Sequence, residues 1–190
     1  MTPSHSEGRS IALYMSCGGG GRGEPWAKDV ANIWRVGNDH LDCWDDGPCP
    51  RAVGYHSNGH GTKQAIGYLK GISKYAGPGG WNTPDFLKTG GESCSVAAEP
   101  GVLCPKQSAL EYRTEFTMWA MASAPLLIST DVRKLTAIQK LVLNTEVIAV
   151  DQQPIAGDVV QEMRCTPADD LPHAAAAAVL PPNNNTWSVL

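Results

Sequence analysis

Short apolar runs alternate with helix-forming segments along the first 155 residues, and this alternation restricts the fold more than any other feature. The run SIALYMS, residues 10–16, is typical of a buried parallel strand that leads into a glycine-rich loop. Segments with apolar residues at helical spacing separate the runs. Because parallel neighbours require crossover connections, the pattern predicts right-handed βαβ units. Four such units correspond to half of a (β/α)8 barrel.

The predicted elements follow one another in strict alternation. The strands are predicted at residues 10–16, 32–36, 79–87 and 124–129. The helices are predicted from Pro25 onwards and over residues 60–75, 108–124 and 133–144. Helical spacing gives the first helix a stripe of Trp26, Val30 and Ile33, and gives the third a stripe of Phe116, Trp119, Ala120 and Ser123.

Composition excludes several classes of protein. With 42% hydrophobic and 18% charged residues the chain is expected to fold, but 190 residues are few for a whole barrel, which typically needs about 250. A net charge of −4 with scattered lysines and arginines argues against nucleic acid as a partner. No apolar run approaches the roughly 20 residues that span a bilayer, so no membrane segment is expected.

The six cysteines do not have the spacing of a metal site. Cys43 and Cys49, and likewise Cys94 and Cys104, bracket short Gly/Pro-rich loops, which suits local disulfides in an oxidising compartment. Unpaired structural thiols remain the alternative. A glycosylation sequon at Asn184 adds weak support for a secretory route. Neither a metal nor a cofactor is expected.

Charged side chains follow two of the predicted strands, where parallel barrels carry their reactive groups. Arg35 lies at the end of the second strand and Asp39 in the loop after it, while Asp85 follows the third strand. A salt bridge at the barrel rim would explain Arg35 and Asp39 equally well.

The segments around these residues resemble known signatures. WRVGND at 34–39 and GGWNTPDF at 79–86 resemble the W-R-x-x-x-D and G-G-W-N-D-P-D-M motifs of glycoside hydrolase family 27. Several motifs in register make the resemblance specific, and it covers roughly residues 10–157. The further matching segments are 111–116, 119–120, 124–128, 131–133 and 146–152.

The resemblance implies retaining hydrolysis of terminal α-D-galactosyl residues in galactosides and oligosaccharides by two carboxylates. Asp39 matches the general acid/base, a role that requires it to change protonation within each cycle. Arg35 should bind sugar hydroxyls and hold Asp39, and Asp85 should bind hydroxyls of the ring. Trp81 either forms a wall of the pocket or packs in the barrel, and Phe86 offers an apolar face where the family has Met.

The resemblance also implies what this sequence lacks. The family's nucleophile lies at the end of the fourth strand, and nothing before Ser10 matches it. Residues 1–155 are therefore expected to be strands five to eight of a TIM barrel, and residues 156–190 a linker with the beginning of a C-terminal β-sandwich. By itself the chain is expected not to hydrolyse glycosides. Two departures, Gly18–Gly21 after the first strand and Thr83 in place of an Asp, bear on the substrate.

Two rival functions remain open. An α-N-acetylgalactosaminidase of the same family is favoured if the Gly18–Gly21 loop leaves room for an acetamido group. A non-catalytic, galactose-binding truncated product is the alternative outside the enzymes. The family implies a secreted or lysosomal/vacuolar location, and the exposed strand edges of a half barrel make oligomers possible.

Overall fold

A three-stranded parallel sheet organises the N-terminal part of the molecule. A computed structural model of the chain describes residues 11–16, 25–45, 59–89, 106–129, 131–135, 137, 140, 144–154, 157–162 and 177–180. Within them, β2 lies between β1 and β3, and all three strands run in the same direction. The strands are β1 (Tyr14–Met15), β2 (Ile33–Arg35) and β3 (Trp81–Thr83).

A fourth parallel segment continues the sheet as a single bridge. Leu87 pairs with Ile128, and the N–H of Leu87 donates to the carbonyl of Leu127 at 2.8 Å. The N–H of Ser129 donates back to the Leu87 carbonyl at 3.1 Å. The predicted run 124–129 therefore follows the third strand in parallel orientation, as the alternating pattern requires.

The helices follow the strands in the predicted order, although most are shorter than predicted. The described residues also include two short 3-10 helices, Ser73–Tyr75 and Val132–Lys134. The predicted helix 133–144 lies largely outside the described residues. The α-helices are α1 (Ala27–Val30), α2 (Thr62–Tyr68), α3 (Ala109–Met121) and α4 (Thr145–Asp151).

The stripe predicted for the first helix is wrong. Trp26 is 50% exposed and Val30 is 36% exposed, while Ile33 belongs to β2. The buried residues are Ala27 and Ala31, at 1% and 4% exposure. A helix of four residues completes little more than one turn, so it ends before a stripe over seven positions can form.

Helix α3 matches its prediction closely. A capping box starts it, since the Ser108 side chain accepts from the Glu111 N–H and the Glu111 side chain accepts from the Ser108 N–H. The predicted stripe lies inside the protein, which confirms the helical interpretation of this segment. Its buried members are Phe116, Trp119, Ala120 and Ser123.

The core lies between the sheet and the helices. Trp34 is 1% exposed, and its indole N–H donates to the side-chain oxygen of Asn82 at 2.6 Å. The Asn82 amide then donates to the carbonyl of Ile72 at 2.9 Å, so this buried polar side chain is satisfied. Gly80 is required beside it, because a Cβ there would lie 2.6 Å from the Trp34 ring. The sheet and helices are thereby held in close contact.

The C-terminal part contains a second, separate sheet. Val147 and Ile148 of α4 pack against the core, and the N–H of Gly157 donates to the carbonyl of Met121 at 3.0 Å. Strands β4 (Asp158–Glu162) and β5 (Ala177–Leu180) then pair in antiparallel orientation. Among the described helices, none has the length and apolar character needed to cross a membrane.

Candidate active site

One guanidinium joins two carboxylates at the C-terminal ends of β2 and β3. Arg35, the last residue of β2, is level with Thr83, the last residue of β3. Its Nη1 lies 2.8 Å from Oδ1 of Asp39, and its Nη2 lies 3.2 Å from Oδ2 of Asp85. Nη2 also donates to the carbonyl of Gly37 at 3.3 Å. The three charged residues singled out in the sequence therefore form one group on one edge of the sheet.

The members of this group differ in their access to solvent. The Asp39 side chain is 59% exposed, whereas the side chains of Arg35 and Asp85 are 11% and 14% exposed. Asp39 is thus the carboxylate most open to an incoming molecule. The largely buried Arg35 guanidinium binds Asp39 with a planar donor geometry that suits carboxylates.

Asp85 has an unusual backbone conformation. Its φ of 113° lies in a region that residues other than glycine rarely adopt. The Thr83 hydroxyl accepts from the Asp85 N–H at 3.2 Å, and the Trp119 indole donates to the Asp85 carbonyl at 2.8 Å. The side-chain oxygens of Asp85 accept from the N–H groups of Phe86 and His40, at 2.8 and 3.0 Å. These bonds hold the carboxylate at a fixed position.

His40 contacts the Asp85 loop, and no motif or spacing in the sequence marks it as part of this group. Its ring lies within hydrogen-bond distance of the Phe86 carbonyl, at 2.9 Å, and of the Thr62 hydroxyl, at 2.8 Å. It also packs against Trp119 at a tilt, with ring centroids 5.2 Å apart and an interplanar angle of 35°. Burial lowers the pKa of His40 to about 3, so the ring is neutral at neutral pH.

Tyr14 is a second contact that the sequence reasoning missed. Its ring meets Phe86 edge to face at 5.9 Å, and its hydroxyl is buried without a well-formed hydrogen bond to any described residue. Burial and then the charge of Asp85 raise the pKa of Tyr14 to about 12, although Arg35 and the Thr83 hydroxyl oppose this rise. The phenol therefore stays neutral beside the charged group.

A buried polar layer supports the Asp85 loop. Both Glu115 side-chain oxygens accept backbone N–H groups, from Lys88 and from Thr89, and one of them also accepts from the side chain of Gln107 at 3.2 Å. Burial raises the pKa of Glu115 to about 8, while the two backbone donors lower it. The carboxyl group of Glu115 thus anchors the residues that follow Asp85.

Asp42 and Tyr112 extend this layer. The Tyr112 hydroxyl donates to Oδ1 of Asp42 at 2.8 Å and accepts from the Gln107 N–H at 3.3 Å. Burial raises the pKa of Asp42 and also that of Tyr112. The adjacent Cys43 is fully buried and disulfide-bonded, and its partner lies outside the described residues. The predicted Cys94–Cys104 bridge also lies outside them.

The two predicted aromatic contacts lie in different places. Phe86 directly follows Asp85 and is 40% exposed, so it borders the charged group. Trp81 is the first residue of β3, level with Ile33 and two residues before the end of its strand. It lines a depression with Asn32 and Pro125, near the opposite ends of the strands. The structure therefore separates Trp81 from Arg35, Asp39 and Asp85.

Comparison with known proteins adds the family. A family model described as alpha galactosidase A matches residues 26–153, a span that includes Arg35, Asp39 and Asp85. The chain belongs to glycoside hydrolase family 27, the α-galactosidases. The motif resemblance found in the sequence is thus confirmed.

Relatives of this family-27 chain include two plant enzymes. Alpha-galactosidase 3 of Arabidopsis thaliana is 34% identical over 154 residues, which are 80% of this chain and 28% of the relative. The alpha-galactosidase of Cyamopsis tetragonoloba is 34% identical over 167 residues, 87% of this chain and 33% of the relative. This chain therefore spans about a third of their length.

A solved structure extends the likeness to the fold. Alpha-galactosidase I from Mortierella vinacea superposes with a TM-score of 0.60 and 28% identity, over 80% of this chain and 37% of that one. The structural neighbours of this chain are TIM-barrel enzymes of family 27. The predicted α/β class is confirmed by this likeness and by the parallel sheet.

Proposed function

We propose that this chain carries the acid/base half of a retaining α-galactosidase site, which acts on terminal α-D-galactosyl residues of galactosides and oligosaccharides. One observation carries the proposal: a single, largely buried Arg35 guanidinium binds both Asp39 and Asp85 at the ends of adjacent parallel strands. Barrel enzymes build their sites from residues at these strand ends. The family assignment supports the same chemistry.

Asp39 is assigned the proton transfers. Its exposed carboxyl donates a proton to the glycosidic oxygen as the nucleophile, supplied from outside this chain, bonds to the sugar carbon and the bond to the aglycone breaks. The resulting carboxylate then removes a proton from the water that releases the sugar. Arg35 keeps one oxygen of Asp39 in place, which leaves the other oxygen to face the substrate.

Asp85 and Phe86 are assigned to the sugar. Oδ1 of Asp85 accepts one N–H, and Oδ2 accepts one N–H and also pairs with Arg35. Because an ionised carboxylate has about four acceptor positions, a sugar hydroxyl can still donate to it. Phe86 presents an exposed apolar surface next to this carboxylate. Trp81 is assigned the packing role that the sequence left open, because it lies near the opposite ends of the strands.

The proposal includes limits on what the chain does alone. Residues 1–155 supply strands five to eight of the barrel, and β4 with β5 begin the C-terminal sandwich. The nucleophile comes from elsewhere, so the isolated 190-residue chain is expected to show no turnover. A secreted or lysosomal/vacuolar location follows from the same family assignment, and self-association through open strand edges is part of the proposal.

The test compares the isolated chain with a longer form that adds the upstream strands. Both are assayed with 4-nitrophenyl α-D-galactoside and with 4-nitrophenyl α-N-acetylgalactosaminide. We expect turnover of the galactoside by the longer form only, and a loss of roughly 100-fold or more on Asp39→Asn. Asp45→Asn, which alters a surface carboxylate paired with Lys63, is the matched control and should change little.

Three different results would contradict the proposal. Faster turnover of the acetamido sugar would favour the α-N-acetylgalactosaminidase. Saturable galactose binding by the longer form without any turnover would favour the non-catalytic product. Equal losses in the Asp39 and Asp45 variants would remove the acid/base assignment.

A further inference from the structure

We propose that His40 is a positioning residue that fixes the Asp85 carboxylate, because its backbone N–H donates to that carboxylate and its ring binds the carbonyl of the next residue, Phe86. The relevance to the sugar rests on the proposed function, in which Asp85 binds ring hydroxyls. His40 follows Asp39 directly, so it also joins the loop of the acid/base to the loop of Asp85. Neither role was assigned from the sequence or from the family.

The contacts of the ring define its protonation. The Phe86 carbonyl lies 2.9 Å from Nδ1 and can only accept a hydrogen bond, so Nδ1 carries the proton. In a neutral ring Nε2 is then an acceptor, and the Thr62 hydroxyl donates to it at 2.8 Å. A fully buried ring with one donor and one acceptor satisfied is stable as the neutral Nδ1–H tautomer.

The surroundings of the ring favour the neutral form. Oε1 of Glu115 lies 3.8 Å from Nδ1, beyond ordinary hydrogen-bond distance, and it already accepts the Lys88 N–H. The positive charges of Lys88 and Arg35 oppose a charge on the ring. Trp119 covers one side of the ring.

His40 acts on Asp85 by two routes at once. Its backbone N–H donates to Oδ2 of Asp85 at 3.0 Å, while its ring binds the carbonyl of the next residue, Phe86. Trp119, which packs against the ring at a tilt, donates to the Asp85 carbonyl. Because Asp85 has a positive φ of 113°, it depends on such contacts to stay in place. Loss of the Nδ1 donor should let the Asp85–Phe86 segment relax.

Two substitutions separate this role from simple packing. The side-chain nitrogen of Asn can occupy the place of Nδ1 and donate to the Phe86 carbonyl, whereas the longer Gln side chain places its amide near Nε2. His40→Asn should therefore retain the position of Asp85, and His40→Gln should lose it. Both changes remove the aromatic contact with Trp119, so a purely structural role would affect them alike.

The experiment uses nitrogen NMR on the full 190-residue chain. Long-range ¹H–¹⁵N spectra of the parent should show the neutral Nδ1–H tautomer of His40 across neutral pH. The Phe86 amide, which donates to Asp85, should move more in His40→Gln than in His40→Asn, because both variants lose the ring current of the imidazole but only His40→Gln also loses the bond to the Phe86 carbonyl. Titration with galactose of the longer form that adds the upstream strands should give roughly five- to tenfold weaker binding for His40→Gln, the loss of about one hydrogen bond, and within about twofold of the parent for His40→Asn.

Each outcome decides the proposal. An Nε2–H or doubly protonated ring near pH 7, or a Phe86 amide that moves no more in folded His40→Gln than in His40→Asn, would overturn it. Equal weakening in both variants would also overturn it and leave His40 a packing role. The predicted NMR pattern without galactose binding by the longer form would support the positioning of Asp85 and count against the proposed function.

Discussion

Two regions of the molecule place a carboxyl group in opposite environments. The group around Asp39 faces solvent, whereas the layer around Glu115 is buried. The Asp39 side chain is 59% exposed, and its carboxylate is bound by the Arg35 guanidinium. Glu115 is fully buried and accepts N–H groups from Lys88, Thr89 and Gln107. A buried carboxyl group that accepts from three donors supports structure, whereas one left accessible can exchange protons with a substrate. Substitution of each carboxyl group tests this difference.

The largest effect on stability should come from Glu115→Leu. The substitution leaves the buried N–H groups of Lys88 and Thr89 without an acceptor, at about 1–3 kcal/mol for each. We expect the free energy of unfolding, measured with urea, to fall by roughly 3 kcal/mol or more. Glu111→Leu on the same helix removes only an exposed capping contact and should cost about 1 kcal/mol or less. Similar losses for both would contradict the account of the buried layer.

The pH dependence of stability should separate two buried groups. His40 has a folded pKa of about 3, below its ordinary 6.5, so the unfolded chain binds the extra proton and stability falls as pH drops from 6.5 towards 3. Glu115 has a folded pKa of about 8, above 4.5, so the folded chain retains the proton and stability falls as pH rises from 4.5 to 8.

Glu115→Gln isolates the second of these effects, because an amide does not titrate. Urea unfolding at pH 5 and pH 8 should show a smaller loss in the variant than in the parent. Asp42 and Asp151, whose pKa values burial also raises, titrate in both proteins and cancel in the difference. An unchanged slope in the variant would show that Glu115 is not the group responsible.

The smallest effect on stability should come from Asp39→Asn. A half-exposed ion pair such as Arg35–Asp39 contributes little in water, so we expect a change below about 1 kcal/mol in urea unfolding. Such a result would sharpen the contrast with Glu115. A loss near that of Glu115→Leu would instead give Asp39 a structural role.

The position of the charged group could be predicted from the sequence, but the buried contacts that support it could not. Arg35 and Asp85 follow neighbouring parallel strands, and such strand ends meet at one edge of a sheet. The contacts of Glu115 with Lys88 and of Tyr112 with Asp42 span 27 and 70 residues and have no local signal. These contacts form only when α3 packs against the loops that contain Asp42 and Lys88.

The first helix and Trp81 illustrate a second limit. Periodicity assigned Trp26 and Val30 to a buried stripe, but the helix ends after four residues and both side chains are exposed. Trp81 belongs to a recognised motif, yet a motif does not reveal that its first residues and its last lie at different ends of a strand. The length of a helix or strand decides whether such a residue is buried and at which end of the strand it lies. Tertiary contacts set that length.

The most direct test of the central claim is the dependence of the Asp39→Asn variant on the leaving group. In the longer form with the upstream strands, parent and variant are compared on methyl α-D-galactoside and on 2,4-dinitrophenyl α-D-galactoside, under single-turnover conditions that report bond cleavage. A dinitrophenolate departs without a proton, whereas methanol requires a general acid. We predict a loss of roughly 100-fold or more with the methyl glycoside and at most about tenfold with the dinitrophenyl glycoside. Equal losses on both substrates would contradict the assignment of Asp39 as the proton donor.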